Sequence, residues 1–389
     1  MNLSVVGDHS AKGVIVHSKL IQMFLVGSQS NFRFRCLAEG NVVDIRCKTN
    51  ILSKPQKQLR FQNIFSQSEE PGSSAARQAN SNNSMEPKSK DQVQKSYCSH
   101  ESHIKDLVSE KDQNFFHLKN QDCAGYRLGA EALQVLDPFL DSRRSWLTVG
   151  DNNGFEANYL AQKGQSVVAS DISDALLAEA KAEGIIVEYS KQNVEALTYQ
   201  NNSFDYVTCK EAFHHFPRPY MGLYEMIRVS QKAAILVAEP IDILSKISPL
   251  VLVKNLLDSI DPLLINKLWK NRFSFESVGN YVYKISEREV EKIAMGIGLP
   301  CIAFKPHNLI LDYWNIPGIL DVPFNRQAYV TAKRQWFLRN LVSKLGVVPY
   351  NQLCCVVFKE IPEADVVERM RTAGYKIIKL PPNPYLKQI

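Results

Sequence analysis

Short apolar segments alternate with helical segments between residues 146 and 238, and this alternation constrains the fold more than any other feature of the chain. The five predicted strands are residues 146–149, 166–169, 185–189, 204–209 and 233–238. Segments in this order form a parallel sheet with helices on both faces, and such sheets bind ligands at the carboxyl ends of their strands. The pattern therefore predicts a doubly wound α/β fold with a ligand site at that edge.

Charge and composition exclude several classes of protein. Apolar residues make up 45% of the 389 residues and charged residues 22%, as in ordinary globular proteins. Residues 85–389 hold 36 basic and 35 acidic side chains, whereas residues 1–68 hold nine basic and three acidic ones. Because the body of the chain is nearly neutral, we predict no nucleic-acid partner.

Cysteine usage points to a reducing environment. The chain has eight cysteines and no CxxC pair, which predicts reduced thiols and a cytoplasmic location rather than a disulfide scaffold. One group of candidate zinc ligands comprises Cys98, His100, His103, His117 and Cys123. Their spacing matches no zinc pattern, so we predict no metal site.

The chain divides into three predicted regions. Residues 1–65 form a basic leader whose structure the sequence leaves open, and residues 66–113 are predicted to be a disordered linker. The linker is rich in Ser, Asn, Gln and Pro at its start and has too few large apolar residues to offset chain entropy. No secretory signal is evident. Residues 1–84 are a targeting segment, a start-site error ahead of Met85 or a functional extension. Residues 114–389 are predicted to be one domain.

Two helical insertions are predicted within that domain, at about 241–283 and 313–350. The first contains the most apolar stretch, residues 247–269, which charged residues interrupt, so it is not predicted to span a membrane. Its simplest role is a lid over an acceptor pocket. Basic and apolar residues are mixed there and in residues 327–345. Peripheral membrane contact through these basic amphipathic helices is therefore an alternative to ordinary core-facing helices.

Polar residues follow the first three predicted strands. The loop 150–154 has glycine at both ends, and a glycine turn before a helix allows close approach to an anionic ligand. Asp171 ends the second strand, where an acid accepts hydrogen bonds from both hydroxyls of a ribose. The alternative is that Asp171 only caps the following helix. Asn193 follows the third strand, where a polar side chain could meet an adenine edge.

These motifs occur in order with His214-His215-Phe216 and with Glu225-Met226-Ile227-Arg228-Val229. In this order they resemble the core of a class I S-adenosylmethionine-dependent methyltransferase of the small-molecule type. The resemblance covers residues 125–312 well and the leader not at all. It implies a Rossmann-like, seven-stranded, mostly parallel sheet with a helical lid insertion. Outside the resemblance, the fold prediction adds a disordered N-terminal leader. It also implies that residues 353–358 run antiparallel beside the fifth strand, and that the cofactor is S-adenosylmethionine.

The resemblance also implies a set of cofactor-binding residues, which are Gly150, Asp151, Asn152, Gly154, Asp171, Ile172, Asn193, Val194 and Lys210. Three positions depart from the family pattern. Thr148 stands where the family has an acid, Asn152 where it has glycine, and Asn193 where an acid often contacts the adenine amino group. Asparagine tolerates positive φ better than other side chains, so the loop is still expected to form.

Candidate catalytic residues lie after the fourth and fifth strands. His214 and His215 follow the fourth strand, and Glu239 ends the fifth. A histidine can accept the acceptor's proton near neutral pH. The alternative is that one histidine packs under the next helix and the other caps it. Lys210 and Glu211 are expected to form a local ion pair.

Three hypotheses follow for the function. The first is methyl transfer to a small-molecule or glycan-type acceptor at oxygen, nitrogen or carbon. The second is a catalytically silent scaffold with the methyltransferase fold, which the departures at Thr148, Asn152 and Asn193 motivate. The third is another Rossmann-type nucleotide binder, under which the match over residues 193–229 has no explanation.

Overall fold

The computed structural model describes four short strands within residues 15–48, then residues 88–108, 111–242, 275, 280–308, 315–382 and 384–385. The chain separates into two compact units, Met1–Glu69 and Glu70–Ile389. Most of the predicted insertion at 241–283, including its lid, lies outside the described residues. So do residues 66–87 of the predicted linker.

The first unit contains a four-stranded antiparallel sheet in the order β1-β2-β3-β4. Its strands are β1 (Ile15–Ser18), β2 (Ile21–Val26), β3 (Asn31–Ala38) and β4 (Asn41–Lys48). Along β3, Phe32 and Phe34 alternate in sequence with Arg33 and Arg35, a period of two that is typical of strands. The leader, which the fold prediction gave as disordered, thus contains strands within residues 15–48.

The second unit is built on an eight-stranded sheet with the order β12-β10-β11-β9-β8-β5-β6-β7. The strands are β5 (Ser145–Val149), β6 (Ser166–Asp171), β7 (Glu188–Lys191), β8 (Phe204–Lys210), β9 (Ser230–Pro240), β10 (Cys301–His307), β11 (Gln352–Phe358) and β12 (Lys376–Lys379). Strands β5 to β9 are mutually parallel, and β11 runs antiparallel to β9. The predicted doubly wound α/β fold is confirmed.

The predicted strand count was seven, and the sheet has eight. The additional strand is β10, which pairs antiparallel with both β11 and β12. Pro306 obscures this strand in the sequence, because proline is normally confined to the edges of sheets. Here the pairing with β12 stops at Phe304, so Pro306 has a neighbouring strand on one side alone.

Strand β7 also differs from the prediction, since it begins at Glu188 rather than at Ile185. The backbone N–H groups of Ile185 and Ile186 donate to the carbonyl oxygen of Ala180 at the end of the preceding helix. Both isoleucine side chains are buried. Ile185 and Ile186, which were predicted to begin the third strand, therefore form the turn that ends the preceding helix.

Nine helices accompany the strands in the described part of the chain. They are α1 (Lys88–Leu107), α2 (Lys111–Lys119), α3 (Ala124–Leu133), α4 (Phe155–Gln162), α5 (Ala175–Ala182), α6 (Pro219–Val229), α7 (Glu287–Gly296), α8 (Arg326–Lys344) and α9 (Ala364–Thr372). Side chains of α3, α4 and α9 share one buried cluster against the sheet, and those of α6 and α7 share another. Helices therefore cover both faces, as predicted.

A disordered linker was predicted over residues 66–113, but its described part, residues 88–108 and 111–113, contains α1 and the start of α2. Ile104, Phe115 and Leu118 are buried in one cluster with Leu176 and Leu177 of α5. The linker prediction rested on the polar composition of the segment. A few apolar side chains suffice here because α5 supplies the surface on which they pack, and most helical stability in proteins comes from such tertiary packing.

Candidate active site

The loop between β5 and α4 brings backbone to the carboxyl edge of the sheet. Gly150, Asn152 and Gly154 have positive φ angles of 71°, 38° and 80°. A Cβ added at Gly150 would lie 2.6 Å from the Cβ of Ala212. Glycine at 150 thus satisfies both the left-handed backbone and the close approach of the neighbouring segment.

Asp151 belongs to this loop, and its side chain is buried. Its carboxylate accepts hydrogen bonds from the Thr148 hydroxyl (2.7 Å) and from the backbone N–H groups of Glu156 (3.0 Å) and Ala157 (2.9 Å). Burial raises the pKa of Asp151 to about 6, although these three donors oppose the shift. Asp151 was predicted to bind cofactor, whereas its contacts here are with the loop and the first turn of α4.

Asp171 meets the same loop at the end of β6. Its Oδ2 accepts from the N–H of Asn152 (3.1 Å) and its Oδ1 from the N–H of Ser173 (3.1 Å). Burial raises the pKa of this carboxyl to about 6. The backbone N–H of Ile172 also bonds to this carboxylate, so of its about four acceptor positions one remains for a ribose hydroxyl. The following residue, Ile172, is half-buried against the cluster that contains α5.

The segment after β7 joins this edge of the sheet. The Gln192 N–H donates to the Asp171 carbonyl at 2.8 Å, and Asn193 follows directly. Asn193 Oδ1 accepts from the N–H of Glu195 at 2.9 Å, so this oxygen caps a short 3-10 turn that contains the buried Val194. The asparagine at 193 therefore has a structural use of its own besides its predicted contact with adenine.

Lys210 and Glu211 form the ion pair that the sequence predicted. Lys210 Nζ lies 2.6 Å from Glu211 Oε2, and Gln352 Nε2 donates to Glu211 Oε1 at 3.2 Å. Burial would raise the pKa of Glu211, yet the ammonium of Lys210 holds it below its usual value. Burial and the same ammonium lower the pKa of His117 on α2 to about 4, so that imidazole is neutral.

His214 and Glu239 are brought together although 25 residues separate them. Nδ1 of His214 lies 2.7 Å from Oε2 of Glu239, whose side chain is fully buried. The Glu239 carboxylate also accepts from the N–H groups of Ala212 (3.1 Å), Phe213 (3.1 Å) and His214 (3.3 Å). Four donors therefore compensate one buried carboxylate, which fixes the orientation of the imidazole.

His215 lies beside His214, with a distance of 3.9 Å between ring centroids. Its carbonyl accepts from Nδ2 of Asn280 at 2.6 Å, and Asn280 also bonds to Ser96 and His100 of α1. Helix α1 is thus tied to the segment that carries both candidate catalytic histidines. This contact was not predicted, because the segment containing α1 was predicted to be a disordered linker.

Sequence reasoning also missed Glu156, in the first turn of α4. The residue is buried, and its Oε2 has no hydrogen-bond partner among the described residues. Burial and the nearby charge of Asp151 raise its pKa well above the usual value, while Lys210 opposes the shift. The available signal was an acid two residues after the glycine loop, because that position lies near any ligand held at the helix N-terminus.

These contacts fit a nucleoside with a charged tail. The glycine backbone leaves room for close approach, Asp171 keeps acceptor capacity, and the buried carboxyl of Glu156 lies near the ammonium of Lys210. S-adenosylmethionine has a ribose and a zwitterionic methionine part that match these groups. The residues present therefore fit the cofactor that the resemblance implied.

The strand order, with β11 antiparallel beside β9, and the glycine loop followed by Asp171 define a class I S-adenosylmethionine-dependent methyltransferase domain. Residues 147–238 match the family model described as "Methyltransferase domain", which confirms the family that the motifs indicated. S-adenosylmethionine is the cofactor of this family.

Curated relatives have similarity to the same part of the chain. The ubiquinone biosynthesis O-methyltransferase of Hahella chejuensis is 31% identical over 106 residues, which are 25% of this chain and 44% of the relative. The enzyme of the same name from Nitrosomonas europaea is 37% identical over 83 residues, 20% of this chain and 35% of the relative. The chain thus spans less than half the length of these relatives.

A solved SAM-dependent methyltransferase from Methanosarcina mazei superposes on 59% of this chain and 98% of its own, with 13% identity and a TM-score of 0.37.

The described residues show neither a metal-binding cluster nor a membrane-spanning helix. They contain no group of three or more His, Cys, Asp and Glu side chains that could hold a metal ion. Of the candidate zinc ligands, Cys123 caps α3 through its sulfur and His100 bonds to Asn280. In the described helices, no segment is both long and apolar enough to cross a bilayer.

Proposed function

We propose that this protein transfers the methyl group of S-adenosylmethionine to a hydroxyl oxygen of a small-molecule acceptor. The observation that carries the proposal is the contact of His214 Nδ1 with the buried Glu239 at 2.7 Å, at the strand ends beside the glycine loop. Among possible acceptor atoms, a hydroxyl oxygen gains most from a general base, because it must lose its proton. The names of the curated O-methyltransferase relatives support the same choice.

The sulfonium of the bound cofactor supplies an activated methyl group. What the chain must do is hold the acceptor in line with that methyl, exclude water and take one proton. Glu239 holds Nδ1 of His214, which directs Nε2 toward the acceptor. Nε2 of His214 would accept the proton that the acceptor hydroxyl loses when its oxygen takes the methyl group.

The arrangement of Glu239 supports this role for His214. A buried carboxylate that orients an imidazole also stabilises the imidazolium that forms when the ring takes a proton. The His215 ring lies beside the His214 ring, with the two ring planes inclined by 41°. We assign His214 as the base, Glu239 as its positioning residue, and Asp171 with the loop 150–154 as the cofactor site.

The first experiment measures binding of S-adenosylmethionine, S-adenosylhomocysteine and NAD by calorimetry. We expect binding of both S-adenosyl ligands and none of NAD. The second follows transfer of labelled methyl to a catechol, a primary amine and a methyl glycoside, with the catechol expected to be methylated. Transfer to the glycoside instead would establish a glycan-type acceptor. Binding without transfer to any acceptor would favour the silent scaffold.

The third experiment tests the base. His214→Gln is expected to lower kcat about 100-fold or more while leaving cofactor affinity unchanged. Glu239→Gln should lower kcat and change the pH at which activity falls on the acid side. The matched control is His103→Gln, at an exposed position of α1. If His214→Gln keeps the kcat of the parent protein, another group removes the proton.

A further inference from the structure

The outer face of α8 is apolar, contrary to the usual arrangement of a helix on a protein surface. Its exposed apolar side chains are Val330, Phe337, Leu338, Leu341 and Leu345. Phe337 is 65% exposed and Leu345 68%. The positions 330, 337, 341 and 345 are separated by seven, four and four residues, so they lie along one side of the helix.

The opposite side of α8 is already packed. Ala328 and Ala332 are buried against Ala124 and Leu128, in and around α3. Nearer the end of the helix, Asn308 Nδ2 donates to Ser343 Oγ at 2.9 Å. These contacts hold the inner side of α8 against the domain. The exposed apolar residues therefore lie on the side of the helix that faces away from the core.

Charge accompanies the apolar face. Residues 326–345 contain five Lys and Arg residues and no Asp or Glu. Arg334 lies within the apolar face at the i+4 position from Val330, and Lys344 borders it. In the described part of the chain, no acidic side chain forms an ion pair with Arg334, Arg339 or Lys344.

We propose that the outer face of α8 docks on an anionic lipid surface. Apolar side chains in a basic setting match a bilayer interface, where acyl chains take up the apolar residues and lipid phosphates pair with the cations. The long stems of Lys and Arg allow their charges to reach the phosphates while the face is buried. The chain would lie on the membrane through this helix without spanning it.

A second copy of the chain is a poorer occupant. Packing two α8 faces together would bring Arg334 and Lys344 of one copy against the same cations of the other, and like charges at close range oppose association. The proposal does not depend on methyl transfer, and its test uses no activity measurement.

The test uses the full chain with vesicles of phosphatidylcholine and phosphatidylglycerol in equal amounts, and with vesicles of phosphatidylcholine alone. Phe337→Ser/Leu341→Ser is expected to lower the partition coefficient for the anionic vesicles about tenfold or more. Arg334→Gln should lower it about fivefold. Every variant keeps the basic leader, so the differences report on α8.

Matched controls carry the same changes elsewhere. Val187→Ser/Ile361→Ser removes two exposed apolar side chains, and Arg371→Gln removes an exposed cation. We expect both controls to partition as the parent does. Phe337→Trp should be quenched by brominated lipid, and Val187→Trp should not.

Three results would overturn the proposal. One is equal partitioning of the α8 variants and their controls. Another is a halved sedimentation mass for Phe337→Ser/Leu341→Ser, which would show that the face joins two copies. The third concerns Phe337→Trp, whose emission would already be blue-shifted before vesicles are added and would not be quenched by brominated lipid afterwards. That result would show that another segment of this chain covers the face.

Discussion

The hydroxyl of Thr148 donates a 2.7 Å hydrogen bond to the carboxylate of Asp151, three residues later in the chain. The family pattern has an acid at the position of Thr148. In this chain the acid is in the loop, and the residue at 148 supplies a donor to it. At this position, one of the three departures that motivated the scaffold hypothesis, the threonine therefore contacts a buried acid of the loop.

The first prediction concerns this contact. Thr148→Val is expected to lower the free energy of unfolding by about 1–3 kcal/mol, because it removes a donor from the buried Asp151 carboxylate. Thr148→Ser should restore most of the loss. Urea denaturation measures both effects.

Thr208 offers a matched control, since it pairs with Thr148 on the neighbouring strand and is equally buried. Its hydroxyl has no hydrogen-bond partner in the described structure. Thr208→Val should therefore leave stability unchanged or raise it. Equal losses at both positions would mean that packing, and not the hydrogen bond, explains the effect.

The second prediction concerns Asp171 and pH. Ribose hydroxyls bond more strongly to an ionised carboxylate, and burial raises the pKa of Asp171 in the free protein to about 6. Affinity for S-adenosylmethionine should thus be full above pH 6 and fall as the pH drops through that value. Calorimetry between about pH 5 and 8 measures the dependence.

Asp171→Asn is the control for the pH dependence. Its affinity for S-adenosylmethionine should be lower and should change less with pH across that range. Asp171→Ala removes a hydroxyl contact of roughly 1.5–3 kcal/mol, less any compensation by water. An affinity within twofold of the parent would assign Asp171 to helix capping alone.

The same pKa shift predicts an effect on folding. The folded-state pKa of Asp171 lies above its usual value of 3.8, so its ionisation disfavours the folded state at neutral pH. This loss of stability is present above about pH 6 and is relieved as the pH falls toward 4. Asp171→Asn should accordingly raise the free energy of unfolding at pH 7 more than at pH 4.5.

The third prediction concerns Asn152, which has a φ of 38° and whose N–H donates to Asp171. Asn152→Gly should tighten cofactor binding, because glycine adopts positive φ without the cost of up to about 1 kcal/mol that asparagine bears. Stability should fall by a few tenths of a kcal/mol through the looser unfolded chain. Weaker binding would instead show that the amide contacts the ligand.

The fourth prediction concerns Glu156. Burial raises the pKa of Glu156 well above its usual value and so favours the protonated form, which an amide resembles; Glu156→Gln should therefore leave the free energy of unfolding within about 1 kcal/mol. Cofactor affinity should fall about tenfold, since an ammonium group on the ligand pairs with an ionised carboxylate and not with an amide. Unchanged affinity would place Glu156 outside the cofactor site.

The fifth prediction concerns the boundary of the domain. Deletion of residues 1–84 should leave the thermal midpoint and cofactor affinity intact, because the deletion keeps all of α1 and cuts near the division between the two units. Deletion of residues 1–110 should lower both, since it removes Ile104 from its cluster and His100 from Asn280. Equal behaviour of the two truncations would show that α1 contributes nothing to the domain.

The family resemblance implied the antiparallel strand beside β9, whereas the sequence by itself determined the parallel sheet and the positions of the glycine loop and Asp171. Each of these depends on a local pattern, either apolar runs bounded by turn residues or a polar residue at the end of a strand. The cofactor roles of the individual residues stay predictions, because each rests on the family resemblance.

Only the tertiary structure decided the contacts that join distant segments. The pairing of β8 with β9 brings His214 within 2.7 Å of Glu239, and Asn280 ties α1 to the histidine segment. The same holds for the burial of Glu156 and for the outward apolar face of α8. These contacts depend on which surfaces the chain brings together, and a polar segment such as α1 becomes helical because a neighbouring helix buries its few apolar side chains.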